Sequence, residues 1–269
     1  MPASNGTVSN GMKKTLKKIL PKPLFFLLKK GRALTEDLPV FIIFLFKPTK
    51  IKTTFFDRFY LIFKCYQISF FIECAHMENE MIQVMSEIFS LDQTREYVIA
   101  EAGSFKGGSG AKLSLAVRMA NKKLFLFDSF EGLPENNEDH GKNIFGGDAF
   151  FPGKSYMGSL DEVKQNIGRF GHLPSCEFIK GWFDDTMPNF DKKVGVAYID
   201  VDLESSTKSC LRYLYPKLIS GGSLFSQDGH LPLIIKLLSD ENFWQKELGI
   251  AKPKMICLGK RKLVKVLKN

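Results

Sequence analysis

The stretch that decides the fold is Val98-Ile99-Ala100-Glu101-Ala102-Gly103-Ser104-Phe105-Lys106-Gly107-Gly108-Ser109. A short apolar run enters it, and an acid and glycines follow. From Ala111 to Met119 apolar residues recur at Leu113, Leu115, Ala116 and Met119, as on one side of a helix. A strand that ends in glycines and opens a helix brings backbone N–H groups and a helix N-terminus up to a ligand. The glycines miss the spacing of the dinucleotide fingerprint, so on this stretch alone an ordinary strand-to-helix turn stays open.

The next segment sharpens the reading. Lys123 to Phe127 is a second strand-like run, and it ends in Asp128-Ser129. Asp128 falls about 25 residues after Gly103, near the distance at which doubly wound folds set an acid against ribose hydroxyls. A glycine turn after one strand and an acid at the end of the next form a nucleoside site. Glu101 is a poor neighbour for a pyrophosphate, and the turn has no P-loop Lys and Ser/Thr. A nucleoside with a positive charge fits better, and S-adenosylmethionine is such a molecule.

The chain has 269 residues, 44% of them hydrophobic, enough for one core with an N-terminal extension. The net charge is +9. The excess sits in the first sixty residues and the last ten, while the middle from Asp128 to Asp202 is rich in acids. A basic margin around an acidic cleft argues against nucleic acid as a partner and suits anionic membranes or glycans. Five widely spaced cysteines form no zinc pattern and read as buried free thiols in a reducing compartment, so a cytoplasmic location is expected.

In chain order, residues 1–54 read as a basic, partly disordered arm. Residues 1–11 are small and polar, and Lys13 to Lys30 is apolar and basic but broken by Pro21 and Pro23, unlike a signal peptide. Val40 to Phe46 is strongly apolar but far shorter than the ~20 residues a membrane span needs. Such an arm can make a peripheral membrane contact, cover a core edge or meet a dimer partner. Residues 55–96 read as a helical cap of one or two helices. It contains His76, Glu78 and Glu80, which lie on a solvated face or, if the cap is a lid, face the substrate.

From residue 97 to 269 strands alternate with helices: strands at 98–103, 123–129, 176–181, 194–202 and 223–226, helices at 109–120, 160–170, 207–218 and 232–247. The fold class is α/β, a mostly parallel doubly wound sheet with a C-terminal antiparallel hairpin over 254–267 and the N-terminal helical cap. Residues 131–159 form a long irregular loop of the kind that acts as a lid or specificity loop.

Ligands of open α/β sheets lie beyond the carboxyl ends of the strands. Acids stand at four of those ends: Glu101, Asp128, Asp200 with Asp202, and Asp228 beside Gln227. Asp200 and Asp228 end neighbouring strands, so their carboxylates converge. They then raise a pKa or recruit a divalent cation such as Mg²⁺, and either outcome helps take a proton from a hydroxyl.

Six motifs occur in order: EAGSFKGGS (101–109), FDSFEGLP (127–134), GWFDDTMP (181–188), YIDVDLESST (198–207), LYPKLISGG (214–222) and SQDG (226–229). With them the chain resembles the macrocin O-methyltransferase family, sugar methyltransferases of macrolide, aminocoumarin and polysaccharide pathways. The resemblance spans about half the chain. It implies a Rossmann-like class I methyltransferase, using S-adenosylmethionine and Mg²⁺ to methylate a sugar hydroxyl of a glycan, glycolipid or glycosylated metabolite, and a homo-oligomer. It places Glu101, Gly103, Phe105, Gly107 and Ser109 around the cofactor, Asp128 and Ser129 on its ribose, and Trp182, Phe183 and Asp184 near its adenine. The implied metal set is Asp200, Gln227 and Asp228, with Asp200 also the candidate base and His230 the alternative. The chain departs from the family at Gln227, where an Asp is usual, and at Val201 and Glu204, where Gly and Tyr are usual. Gln227 keeps a second reading open, a non-catalytic nucleoside-binding scaffold that has lost its metal.

Overall fold

The computed structural model describes residues 37–268. The expected polar segment 1–11 and the basic stretch from Lys13 to Lys30 lie outside the described residues.

A helix over 37–46 (α1) and a long helix Phe55–Phe71 (α2) come first. Thr54 and Asp57 close a capping box at the start of α2, which satisfies two of its free N–H groups. After a short linker comes Glu78–Ser90 (α3). The central unit then runs β1 (Val98–Ala102), α4 (Gly108–Met119), β2 (Leu124–Asp128), a long loop, α5 (Leu160–Phe170) and β5 (Cys176–Lys180). It continues with a short turn of helix α6 (Phe183–Thr186), β6 (Val194–Ile199), α7 (Glu204–Leu214), β7 (Leu218–Ser226) and α8 (Pro232–Ser239). It ends in a hairpin of β8 (Met255–Ile256) and β9 (Val264–Leu267).

The sheet order is β5-β2-β1-β6-β7-β9-β8. The first five strands are parallel, and β9 joins β7 antiparallel. The doubly wound sheet and its antiparallel edge are therefore as expected. Both faces are covered, so β6 (VGVAYI) is buried at every position, as a central parallel strand is. Side-chain alternation divides the core. Ile99, Val196 and Tyr198 face α2, α3, α4 and α5, while Ala100, Ala197 and Ile199 face α7, α8 and Trp244. Each fully buried aliphatic side chain here contributes about 2 kcal/mol of transfer free energy.

The element boundaries shift for identifiable reasons. β7 begins at Leu218, not 223, because a bulge around Gly221 (φ +80°) and Gly222 lets the strand continue. α7 spans Glu204–Leu214 rather than 207–218, since Pro216 cannot continue it. The expected 232–247 helix stops at Ser239 and resumes as a wide turn over Phe243–Glu247. The 131–159 loop is not wholly irregular: Asp139–Lys142 (β3) and Asp148–Phe150 (β4) pair as a small hairpin. The solvated-face reading of the cap is corrected, because His76, Glu78 and Glu80 are all buried.

β1 and β6 end almost in contact. A Cβ on Gly103 would lie 2.0 Å from the Asp200 carbonyl oxygen, and Gly103 has φ +85°. Only glycine meets both constraints. Gly103→Ala is expected to lower unfolding stability by more than about 3 kcal/mol, read from chemical denaturation. A change within about 0.5 kcal/mol would refute the close approach.

Candidate active site

The cleft lies beyond the carboxyl ends of β1, β2, β6 and β7. Its walls are completed by the linker between α2 and α3, the 131–159 loop and the turn after β5. At the β1 end Glu101 is fully buried and its Oε1 accepts the Ser109 hydroxyl. Its Oε2 and the nearby Ser104 Oγ are buried with no hydrogen-bond partner among the described residues. Burial pushes the Glu101 carboxyl up to about 8, against the pull of Ser109. Gly107, at φ +79°, is the N-cap of α4, and Gly108 packs so close to Cys74 that a Cβ would sit 2.4 Å from its Sγ.

Asp128 clips two turns together. Its Oδ2 accepts the Ser104 N–H and its Oδ1 the Phe130 N–H, both at 2.6 Å. Burial still raises its pKa, although those N–H groups pull the other way. Ser129 turns inward on its own loop, donating to the Gly132 carbonyl at 2.9 Å. Phe105, Trp182 and Phe183 line the cleft. Asp184 does not line it: its carboxylate accepts the Ser209 hydroxyl of α7 at 3.0 Å.

The acids at the β6 and β7 ends form the other half of the site. One carboxylate oxygen from each of Asp200, Asp202 and Asp228 lies within 4.8 Å of the others. Asp228 Oδ2 accepts the N–H groups of Val201 and Asp202, both at 3.1 Å, which fixes the strand ends. The Asp200 carboxyl is held well above the usual range, by burial first and then by Asp228, Asp202 and Glu80, with Lys262 opposing. Asp202 rises by burial and by Asp228, while burial lifts Asp228 to about 6. His230, stacked on Phe145 at 5.9 Å, is held at about 4 by burial, so it is neutral near pH 7 and a weak base.

Asp202 joins Asp200 and Asp228 as a third acid, and Gln227 lines the same cleft. Gln227 Nε2 donates to Glu80 of α3 at 2.7 Å, and its Oε1 faces the Tyr198 hydroxyl at 3.3 Å. That hydroxyl also lies 3.3 Å from Asp200 Oδ2. Gln227 therefore ties the cap helix to the strand ends.

Sequence reasoning missed the residues that pin the loop. Glu138 accepts the Glu204 and Ser205 N–H groups and so caps α7. His140 Nε2 bonds the Asp202 carbonyl at 3.0 Å. Tyr156 sets an edge against Phe105 at 5.5 Å. No local pattern marks these contacts. For Asp202 a signal existed, its place two residues after Asp200.

A mostly parallel doubly wound sheet with its cleft at a glycine turn and acidic strand ends is the class I methyltransferase fold. The sequence profile of the macrocin-O-methyltransferase (TylF) family matches residues 77–244, and the chain belongs to this family. It is 30% identical over 145 residues to the 8-demethyl-8-(2,3-dimethoxy-alpha-L-rhamnosyl)-tetracenomycin-C 4'-O-methyltransferase of Streptomyces olivaceus, a match covering 48% of this chain and 52% of that protein. It is 30% identical over 139 residues to the demethyldecarbamoylnovobiocin O-methyltransferase of Streptomyces niveus, with the same coverage. The chain thus spans about half the length of the curated relatives it matches. The structure of the O-methyltransferase NovP superposes with a TM-score of 0.59 at 21% identity, over 73% of this chain and 83% of that one, a likeness of fold.

Glu101 makes stability depend on pH. The folded carboxyl keeps its proton up to about 8, while the unfolded one loses it near 4.5. Between those values the folded state binds the extra proton, so stability falls as pH rises. Glu101→Gln is expected to remove about 1.4 kcal/mol per pH unit of that slope between about pH 5 and 8, in denaturant titrations at several pH values. An unchanged slope would show that Glu101 is ionised in the fold.

Proposed function

We propose that the protein is an S-adenosylmethionine-dependent O-methyltransferase that methylates a sugar hydroxyl, with a divalent cation at Asp200, Asp202 and Asp228. The observation that carries this is the convergence of those three carboxylates, Asp228 buried and Asp200 and Asp202 half-buried, beside a nucleoside-type cleft.

The donor set fits both groups. Oxygen ligands from three acids suit a hard divalent cation such as Mg²⁺. Asp128 and the unpartnered Ser104 Oγ, both in the cleft lining, offer polar contacts to a nucleoside, and Trp182 offers an exposed ring at the rim. When bound, S-adenosylmethionine supplies a methyl group on a cationic sulfur, and the cation supplies Lewis acidity toward an alkoxide.

The chain does the rest. Asp200 is the base that takes the proton of the acceptor hydroxyl, and a cation held beside it would lower the pKa of that hydroxyl first. Asp228, fixed by two backbone N–H groups, and Asp202 hold the geometry around it. Phe105, Tyr156 and Trp182 exclude water and offer flat faces to a sugar ring, and alignment of the reactants supplies much of the rate. The Streptomyces olivaceus relative is named for methylation at a rhamnosyl group, which supports the acceptor class. Gln227 favours the scaffold reading, but its amide is engaged with Glu80 and Tyr198, and the acid trio is complete without it.

Calorimetric titration of S-adenosylmethionine into the wild type is expected to show binding that Asp128→Ala weakens about 10- to 100-fold. Asp200→Asn is expected to leave that affinity within a few-fold while lowering transfer to a sugar acceptor about 10²- to 10⁴-fold. A heat of Mg²⁺ binding should vanish in Asp202→Asn and persist in Gln227→Ala. No donor binding by the wild type would move the assignment to a scaffold for another ligand, and donor binding lost in Asp200→Asn would contradict the role given to that residue.

A further inference from the structure

The α1 and α2 helices carry an apolar face that the fold does not use. α2 buries Leu61, Ile62, Cys65 and Ile68 on one side, yet its other side holds Phe55, Phe56, Phe59, Tyr60 and Phe63 in the open. Phe56 is 78% exposed and Phe63 57%. The spacing of four between Phe55, Phe59 and Phe63 makes this one stripe along the helix. α1 continues it with Ile42, Ile43 and Phe46, the last 71% exposed. The rings meet across the two helices: Phe46 to Phe55 is 5.8 Å and Phe55 to Phe59 is 6.4 Å. A helix that is apolar all round is normally buried all round, and a continuous exposed patch of this kind marks an interaction surface.

The charges around the patch select its occupant. Lys47, Lys50 and Lys52 are exposed on the segment that joins the two helices. Between residues 38 and 72 the single acid is Asp57, whose carboxylate is held by the Thr54 backbone and hydroxyl. Protein–protein interfaces are depleted of lysine relative to the rest of the surface. Aromatic rings beside lysines, with no free acid, are what a lipid–water boundary with anionic headgroups accepts. No helix among the described residues is long and apolar enough to cross a membrane, so the contact is with its surface.

We infer that the α1–α2 face docks the protein on an anionic phospholipid bilayer, with the phenylalanines at headgroup depth and Lys47, Lys50 and Lys52 over the phosphates. The linker that leaves α2 supplies Cys74 and His76 to the cleft wall. The docking itself does not depend on the methyltransferase reading, and its test reads no methyl transfer.

The full chain is floated on density gradients with vesicles of phosphatidylcholine containing phosphatidylglycerol, and with phosphatidylcholine alone. The wild type is expected to float with the anionic vesicles only, less so as salt rises. Phe56→Ser with Phe63→Ser is expected to cut the partition coefficient about tenfold or more. Lys50→Glu with Lys52→Glu, a surface change that spares the core, is expected to cut it at least about tenfold at low salt. Melting curves and S-adenosylmethionine affinity should match the wild type in both variants. A wild type that stays at the bottom of the gradient would overturn the inference. So would a dimer in light scattering that the phenylalanine variant dissolves without any vesicle binding, which would assign the face to a second copy.

Discussion

Taking carboxylates out of water is the constraint that shapes this molecule. Glu80, Glu101, Asp128, Asp200, Asp202 and Asp228 all lose most of their hydration at one end of the sheet, and burial is the first cause of the raised pKa of each. Removing an ion from water costs several kcal/mol even after relaxation. The fold offsets part of this with fixed dipoles: two N–H groups on Asp228, two on Asp128, a hydroxyl on Glu101 and an amide on Glu80. Asp200 receives less, and with Asp202 it depends on the field of Lys262 from the C-terminal hairpin. A core built for stability alone would place apolar side chains here. The residual cost falls where a cation and a hydroxyl are proposed to bind.

The same strand ends organise the loop over 131–159. Asp202 adopts φ +60°, and its carbonyl accepts His140 of the β3–β4 hairpin. The Ile144 N–H reaches the His230 carbonyl at 3.1 Å, and Glu138 closes the N-terminus of α7. The hairpin is thus fastened to both acidic strand ends. Its tip carries Phe145 exposed beyond His230, and Tyr156 at its far end meets Phe105 of the glycine turn. A rearrangement of the hairpin would be felt at Asp202 and at the glycine turn together.

Most of this architecture was legible from the chain because it is written in local patterns. The glycine turn, the apolar runs and the acids at their ends specify parallel strands and a cleft without reference to distant residues. Gly103 stood out by type, and its reason, the carbonyl of Asp200, became visible only when β1 and β6 were side by side. The burial of His76, Glu78 and Glu80 was not legible, since polar residues at a helix start read as a solvated face until the sheet is laid against them. Glu138 and His140 were hidden for the same reason: their partners lie 62 to 67 positions away. Trp182 and Asp184 show the limit of motif transfer, because neighbours in one motif face the cleft and α7 respectively.

Gln227 and Glu80 are best understood as one feature. The Gln227 amide nitrogen sits 2.7 Å from a Glu80 oxygen, inside a space that already holds Asp200 within the same field. A carboxylate at 227 would set two like charges in contact with little water between them, which costs far more than an amide that donates a hydrogen bond. Glu80 also accepts the Met77 N–H at 2.6 Å within the first turn of α3, so the amide ties that turn to the end of β7. Gln227 thus holds the cap helix to the sheet. One strand away the backbone turn at Asp202 brings a third carboxylate to Asp200 and Asp228. The three acids thus converge without a carboxylate at 227.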